Sequence, residues 1–296
     1  MPIELESKGV RDRMEHKQWV LVTGATSGIG LATSLLLALE GYEVIATGRS
    51  EEKLAHVAQA AEQANVTIRR VLLDVTDESS IARMKSEVLA LTDGYGVDIL
   101  INNAGYAEGG ALEDIPLERL KMQFDTNVFG LVAVTQAIVP YMRVRRQGKV
   151  INISSVLGKV SIPLLGAYTA TKHAVEAISD ALRVELSEFG IQVVTVAPGS
   201  IQTNFGETVS GTVGGWAGKD SPYYPFYEKF MHDRKSGRGA QPIVIAKVIL
   251  QAIQSPRPRA RYAVPMDSKT MPVLKALLPT KTIDKIMRHV VMGGKS

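Results

Sequence analysis

Trp19-Val20-Leu21-Val22-Thr23-Gly24-Ala25-Thr26-Ser27-Gly28-Ile29-Gly30 joins a short apolar run to a helical pattern through three glycines. The run from Trp19 to Thr23 has the unbroken apolar character of a strand buried on both faces. Helical periodicity then extends from about Gly30 to Glu40 and stops at Gly41, a residue suited to ending a helix. Glycine at such a turn admits torsions and close approaches that a Cβ obstructs. The amides exposed there, with the helix dipole behind them, can hold a pyrophosphate. The spacing is Gly-x-x-x-Gly-x-Gly, not the Gly-x-Gly-x-x-Gly of many dinucleotide sites, so the turn by itself also fits a purely structural bend.

Outward from that turn the same alternation repeats. Strands are expected at 43–47, 68–73, 98–101, 149–153 and 192–197, with helices at 51–63, 77–91, 116–142 and 167–188. Strands of Val/Ile/Leu character, each followed by a helix, predict one α/β unit: a doubly wound parallel sheet with helices on both faces. Ligands of such sheets bind beyond the carboxyl ends of the strands. The rhythm breaks after Pro198-Gly199, where residues 200–239 are rich in Gly, Ser, Pro and aromatics. A segment of that length reads as a substrate lid, although any single ring in it can equally anchor the loop to the core. A helix at 243–254 and a last strand at 261–264 complete the pattern.

The chain thus divides into an N-terminal extension (1–18), a catalytic domain (19–264) with a lid at about 200–239, and a basic C-terminal extension (265–296). In the last of these, Ile283, Ile286, Met287 and Val290 recur at helical spacing while Lys281, Lys285 and Arg288 can face away. Such a helix packs on its own subunit or a partner, or lies in a membrane interface.

Composition narrows the function classes. The 296 residues carry 34 Lys and Arg against 30 Asp and Glu, without a block of like charge, which argues against a nucleic-acid surface. Cysteine is absent, which excludes thiol nucleophiles, disulfides and Cys-ligated metals. No 18-residue apolar run is present, and the first eighteen residues are too charged for a signal peptide, so the expectation is a soluble cytoplasmic protein.

A pair of side chains points to chemistry. Tyr168 and Lys172 lie four apart on an expected helix and so share one face. A free phenol, with a pKa of about 10, is a poor base near neutrality, and a neighbouring ammonium favours its ionised form. Such a pair can give or take a proton while a hydride moves at carbon. No cluster of His and carboxylates suggests a metal.

With these residues in view, the chain resembles the short-chain dehydrogenases/reductases that carry a Tyr-x-x-x-Lys motif. Thr23 to Gly30 resembles their nucleotide turn; Asp74, Asn102-Asn103-Ala104-Gly105, Asn127, Ser154-Ser155, Tyr168 to Lys172 and Pro198-Gly199 follow in the family's order. The longer C-terminus resembles the branch of 17β-hydroxysteroid and retinol dehydrogenases. The resemblance implies a Rossmann sheet of strand order 3-2-1-4-5-6-7 and an oxidoreductase interconverting a lipophilic ketone or aldehyde and its alcohol. A 3-oxoacyl thioester reductase and a non-catalytic NADP(H)-sensing regulator are the alternatives. It also implies a homodimer or homotetramer.

The site residues follow from the same resemblance. Tyr168 is the acid/base, assisted by Lys172; Ser155, thirteen residues before Tyr168, orients the carbonyl, with Ser154 its close competitor; Asn127 supports Lys172 through water. The cofactor is expected on Gly24, Thr26, Ser27, Gly28, Ile29 and Gly30, on Asp74 and Val75 beside the adenine, and on Asn102, Ala104 and Gly105. Tyr168, Lys172, Pro198, Gly199, Ile201 and Thr203 complete the set near the nicotinamide. Gly48 stands where relatives preferring NAD usually carry Asp, and the following Arg49 can pair with a 2′-phosphate, so NADP(H) is expected.

Overall fold

A computed structural model describes residues 17–202, 218–234, 239–264 and 270–292. Seven strands form one parallel sheet: β1 (Trp19–Val22), β2 (Glu43–Gly48), β3 (Ile68–Leu72), β4 (Ile99–Asn102), β5 (Gly148–Ile153), β6 (Ile191–Pro198) and β7 (Arg261–Val264). Their order is β3-β2-β1-β4-β5-β6-β7, as the family resemblance implies. The order reverses between β1 and β4, the place where sheets of this kind form a ligand crevice beyond the strand ends.

Alternation along each strand sends successive residues to opposite faces. Val20 and Val22 of β1, Val44 and Ala46 of β2, and Ile99 and Ile101 of β4 pack against α1 (Gly28–Leu39), α2 (Glu51–Gln63) and α8 (Pro242–Gln254). The intervening Leu21, Ile45 and Leu100 pack against α3 (Glu78–Leu91), α5 (Gly130–Arg145) and α6 (Gly166–Ser187). Burial on both faces explains why the strands read as continuous apolar runs.

The helix expected at 116–142 is interrupted. It begins as α4 (Leu117–Phe124), widens into a π-type turn at Asp125–Phe129, and continues as α5. Within the segment 200–239 lies α7 (Tyr224–Arg234). The C-terminal extension folds into a hairpin of two short helices, α9 (Thr270–Leu277) and α10 (Thr280–Met287). Its apolar spacing divides between two surfaces: Met287 is buried and Ile283 half-buried, whereas Ile286 and Val290 are exposed.

Candidate active site

Backbone bonds fix the glycine turn between two neighbouring strands: the Thr23 amide donates to Ile101 O at 3.0 Å and the Ala25 amide to Thr47 O at 2.8 Å. Gly24 and Gly28 have φ of +63° and +53°, a region that L residues rarely occupy. A Cβ on Gly24 would stand 2.8 Å from the Ala104 Cα, and one on Gly30 would meet the backbone of Gly24 and Ala25. The turn is therefore closed to side chains, and its glycine-rich backbone runs directly into the start of α1. Ser27 is the N-cap of α1 and makes no side-chain cap bond, and Ile29 packs on the core below. Such a cradle fits a pyrophosphate.

The crevice continues to either side. Arg49 is exposed at the end of β2, and a Cβ on the preceding Gly48 would run into the Thr26 methyl group. Asp74 holds the turn after β3, its Oδ1 accepting from the Thr76 amide at 2.9 Å and the Thr76 hydroxyl at 2.7 Å. Val75 is buried against Gly130. At the end of β4 the two asparagines separate. Asn102 is buried within the sheet, where its amide donates to Asn152 Oδ1 at 2.9 Å and Thr135 Oγ1 at 3.0 Å. Asn103 instead donates to the carbonyls of Thr23 and Gly24, both at 2.9 Å, while Thr23 Oγ1 accepts from the Asn103 and Ala104 amides. Sequence reasoning singled out Asn102 and overlooked Asn103, although it is Asn103 that ties the loop after β4 to the glycine turn.

Tyr168 and Lys172 meet at the head of α6, both buried, with the Lys172 ammonium 5.7 Å from the centroid of the Tyr168 ring. Lys172 Nζ donates to Ile153 O at 2.8 Å, which binds it to the end of β5. Burial pushes its ammonium down from the ordinary 10.5 to about 8, while the carboxylate of Glu176, one turn further along the helix, acts in the opposite direction. Glu176 is itself buried and pairs with Arg261 and, at 3.6 Å, with Lys159.

The π-type turn places Asn127 between three segments. Its Oδ1 accepts from the Tyr106 amide at 3.0 Å, and its amide donates to Tyr106 O at 2.9 Å and Thr171 Oγ1 at 3.0 Å. A Cβ on Gly105 would be 3.0 Å from Asn127 Oδ1 and 3.8 Å from Lys172 Nζ, so the bare glycine lies beside both. One extra residue in a helical turn re-aims the side chains around it, which accounts for the position of Asn127.

Ser155 caps the short 3₁₀ turn Val156–Gly158, its Oγ accepting from the Leu157 amide at 3.1 Å and standing 3.4 Å from Pro198 O. Ser154 points the other way. Its Oγ is buried with no partner among the described residues, and a Cβ on Gly158 would lie 2.8 Å from it. Gly199 binds Val264 O at 2.8 Å, and Ile201 bridges to Ala240 and packs on the core. Thr203 lies outside the described residues.

Beyond the carboxyl ends of the strands is a third apolar cluster, in which Tyr168 packs with Ala107, Ala111, Leu164, Leu165, Tyr227 and Phe230. Helix α7 is fastened through Tyr227, whose hydroxyl donates to Asp114 Oδ2 at 2.5 Å and accepts from the Ala111 amide at 3.0 Å. Burial first and this bond second push the Tyr227 phenol up to about 12. Asp114 was not foreseen, since nothing near it in sequence announces a partner 113 residues away. Leu164 holds a φ of +65°, its carbonyl accepting from the Gly110 amide at 2.7 Å. Next to this cluster is a cavity of about 720 Å³. Leu112, Ile162 and Leu164 line it from the body, and Ile283, Met287 and Met292 from the C-terminal hairpin.

A family model described as short chain dehydrogenase matches residues 18–213. An uncharacterized oxidoreductase, YusZ, of Bacillus subtilis is 36% identical over 92% of this chain and 98% of its own. An NADPH-dependent 3-dehydrocapnine reductase of Ornithobacterium rhinotracheale is 33% identical, covering 91% and 95% of the two chains. The crystal structure of a short-chain dehydrogenase from Streptomyces avermitilis superposes with a TM-score of 0.74 at 32% identity, over 92% of this chain and 98% of that one.

Proposed function

The chain belongs to the short-chain dehydrogenase/reductase family, and from that premise we propose that it is an NADP(H)-dependent carbonyl reductase acting on a lipophilic ketone or aldehyde, with Tyr168 as the proton donor. One observation carries this reading: a buried ammonium stands 5.7 Å from the ring of a buried tyrosine, close to the loop that backs the glycine cradle.

The cradle residues Gly24 to Gly30, the carboxylate of Asp74 and the loop 102–105 would hold the dinucleotide, with Arg49 toward a 2′-phosphate. Gly48 supports that choice, because the Thr26 methyl occupies the space that a side chain at 48 would need. The relative described as NADPH-dependent supports it as well. The bound cofactor supplies a hydride for the carbonyl carbon. As charge builds on the carbonyl oxygen, the Tyr168 hydroxyl gives up its proton to it. The Lys172 ammonium stabilises the negative charge left on the phenol oxygen, and its bond to Ile153 O keeps it from swinging away. Ser155 offers its hydroxyl to the same carbonyl oxygen. Asn127 locks the Tyr106 backbone to Thr171, the neighbour of Lys172, and so holds the helix face in register. Orientation and preset charge lower the barrier without a covalent intermediate.

The cavity shares Ala111 and Leu164 with the apolar cluster that contains Tyr168, and its largely aliphatic lining favours a lipophilic substrate over a small polar one. The test is NADPH consumption over lipophilic ketones, aldehydes and acyl thioesters, with Tyr168→Phe alongside. Reduction of the ketones, lost in the variant with NADPH binding retained, is the expected result. A preference for acyl thioesters would replace the substrate, and full activity of the variant would remove Tyr168 from the chemistry.

A further inference from the structure

The cavity wall formed by the C-terminal hairpin has an outer side that the proposed chemistry does not use. On α9, Val273 and Leu277 are exposed, one turn apart, and Val290 is exposed in the turn that follows α10. Among these apolar side chains stand Lys281 and Lys285, both exposed and neither lining the cavity. The inner side is a wall of the cavity, where Ile283, Met287 and Met292 line the main chamber together with Lys275, Asp284 and Arg288. Below them, Met271 and Leu274 close a small apolar recess against Val160. The same segment therefore walls the chamber on one side and presents exposed apolar side chains and two lysines on the other.

We propose that this hairpin seats the protein on an anionic lipid surface. Val273, Leu277 and Val290 would enter the boundary between headgroups and acyl chains, Lys281 and Lys285 would meet lipid phosphates, and the cavity would open toward the layer from which its ligand comes. Charge decides between this occupant and a second copy of the chain. Two identical copies of this surface face to face would bring Lys281 and Lys285 against their own counterparts, whereas a bilayer bearing anionic lipid attracts both of them. Apolar side chains beside cations on a short amphipathic helix are also the chemistry of interfacial binding. The supply route rests on the reading that the cavity takes a lipophilic substrate; the docking itself does not.

The test uses the full chain and flotation with vesicles of phosphatidylcholine alone or with a third of phosphatidylglycerol. The protein is expected to float with the anionic vesicles at low salt and to be released at about 0.5 M salt, where screening is nearly complete. The double substitution Lys281→Gln/Lys285→Gln should weaken partitioning about thirty-fold, from about 1 kcal/mol for each basic residue near such a surface. Leu277→Ser should weaken it about ten-fold or more. None of these three side chains lines the cavity, so both variants should reduce a small water-soluble ketone without vesicles as the wild type does. Failure of the wild type to float, equal binding to neutral and anionic vesicles, or unchanged flotation of the double variant would overturn the proposal. So would a Leu277→Ser variant that loses a concentration-dependent oligomer yet floats normally. Flotation without any ketone reduction would instead count against the enzymatic reading and leave the docking in place.

Discussion

Lys172 is the residue on which pH acts most directly. Folded, it releases its proton near 8; unfolded, near its ordinary 10.5. Between those values the unfolded chain binds more protons than the folded one, so this group makes stability rise with pH from about 8 to 10.5. In the proposed reaction catalysis moves the other way, because the ammonium is the form that would stabilise the ionising phenol. The expected outcome is a kcat/KM for ketone reduction that declines above about pH 8, alongside a melting temperature that does not decline with it. A rate profile flat to pH 10 would detach Lys172 from the chemistry. Lys172→Met should abolish turnover and raise stability at pH 7 by about 1 to 3 kcal/mol, since an apolar chain replaces a buried charge; thermal unfolding of the two proteins at pH 7 and 9 measures this. Gly105 has a narrower part. Gly105→Ala puts a methyl 3.0 Å from Asn127 Oδ1, and a ten-fold or larger fall in kcat with the fold retained by circular dichroism is expected.

At the scale of elements, two ties carry the site. Asn103 holds the loop after β4 to the glycine turn through two donated bonds. Asn103→Asp would turn a carboxylate toward two carbonyl oxygens; a loss of at least about 2 kcal/mol in stability and a ten-fold or larger loss in NADPH affinity by calorimetry are expected. Tyr227 clamps α7 to Asp114 and the Ala111 amide. Removing its hydroxyl in Tyr227→Phe strands the Ala111 amide and leaves Asp114 the Ser221 hydroxyl, and should cost about 1 to 2 kcal/mol, with KM raised more than kcat lowered. The strands were legible in the sequence because burial on both faces leaves an uninterrupted apolar run, and β7 was found to the residue. Tyr168 and Lys172 were legible because helical spacing alone brings them to one face. The π-type turn was not. An added residue within a continuous helix has no composition of its own, and only the bonds made by Asn127 reveal it. The clamp at Asp114 was hidden for a different reason, being a long-range contact between two loops without periodicity.

At the scale of the whole molecule, the sheet and the substrate end are built from separate cores. Among the described residues, the two clusters that sandwich the sheet contain none beyond Val264, whereas the third, around Tyr168, takes in Val291 and Met292. The C-terminal hairpin can therefore matter to the cavity and little to the fold. A chain ending at Val264 should keep its sheet and its cofactor cradle, since every bond that fixes the glycine turn lies within residues 23–104. It should lose the Ile283, Met287 and Met292 side of the cavity and expose the cluster around Tyr168 to water. Met287 alone is nearly fully buried, and removing one such contact surface is worth about 1.5 to 3 kcal/mol per large side chain to any ligand or residue that shared it. Three lining side chains then amount to a loss of a hundred-fold or more in kcat/KM for a long-chain ketone, while a ketone of three or four carbons, too short to reach the hairpin wall, should be reduced at the rate of the full chain. Comparing the two substrates in the same pair of proteins separates this from general damage. An equal fall for both would mean that the hairpin supports Tyr168 itself, and no fall for either would place the substrate elsewhere than in this chamber.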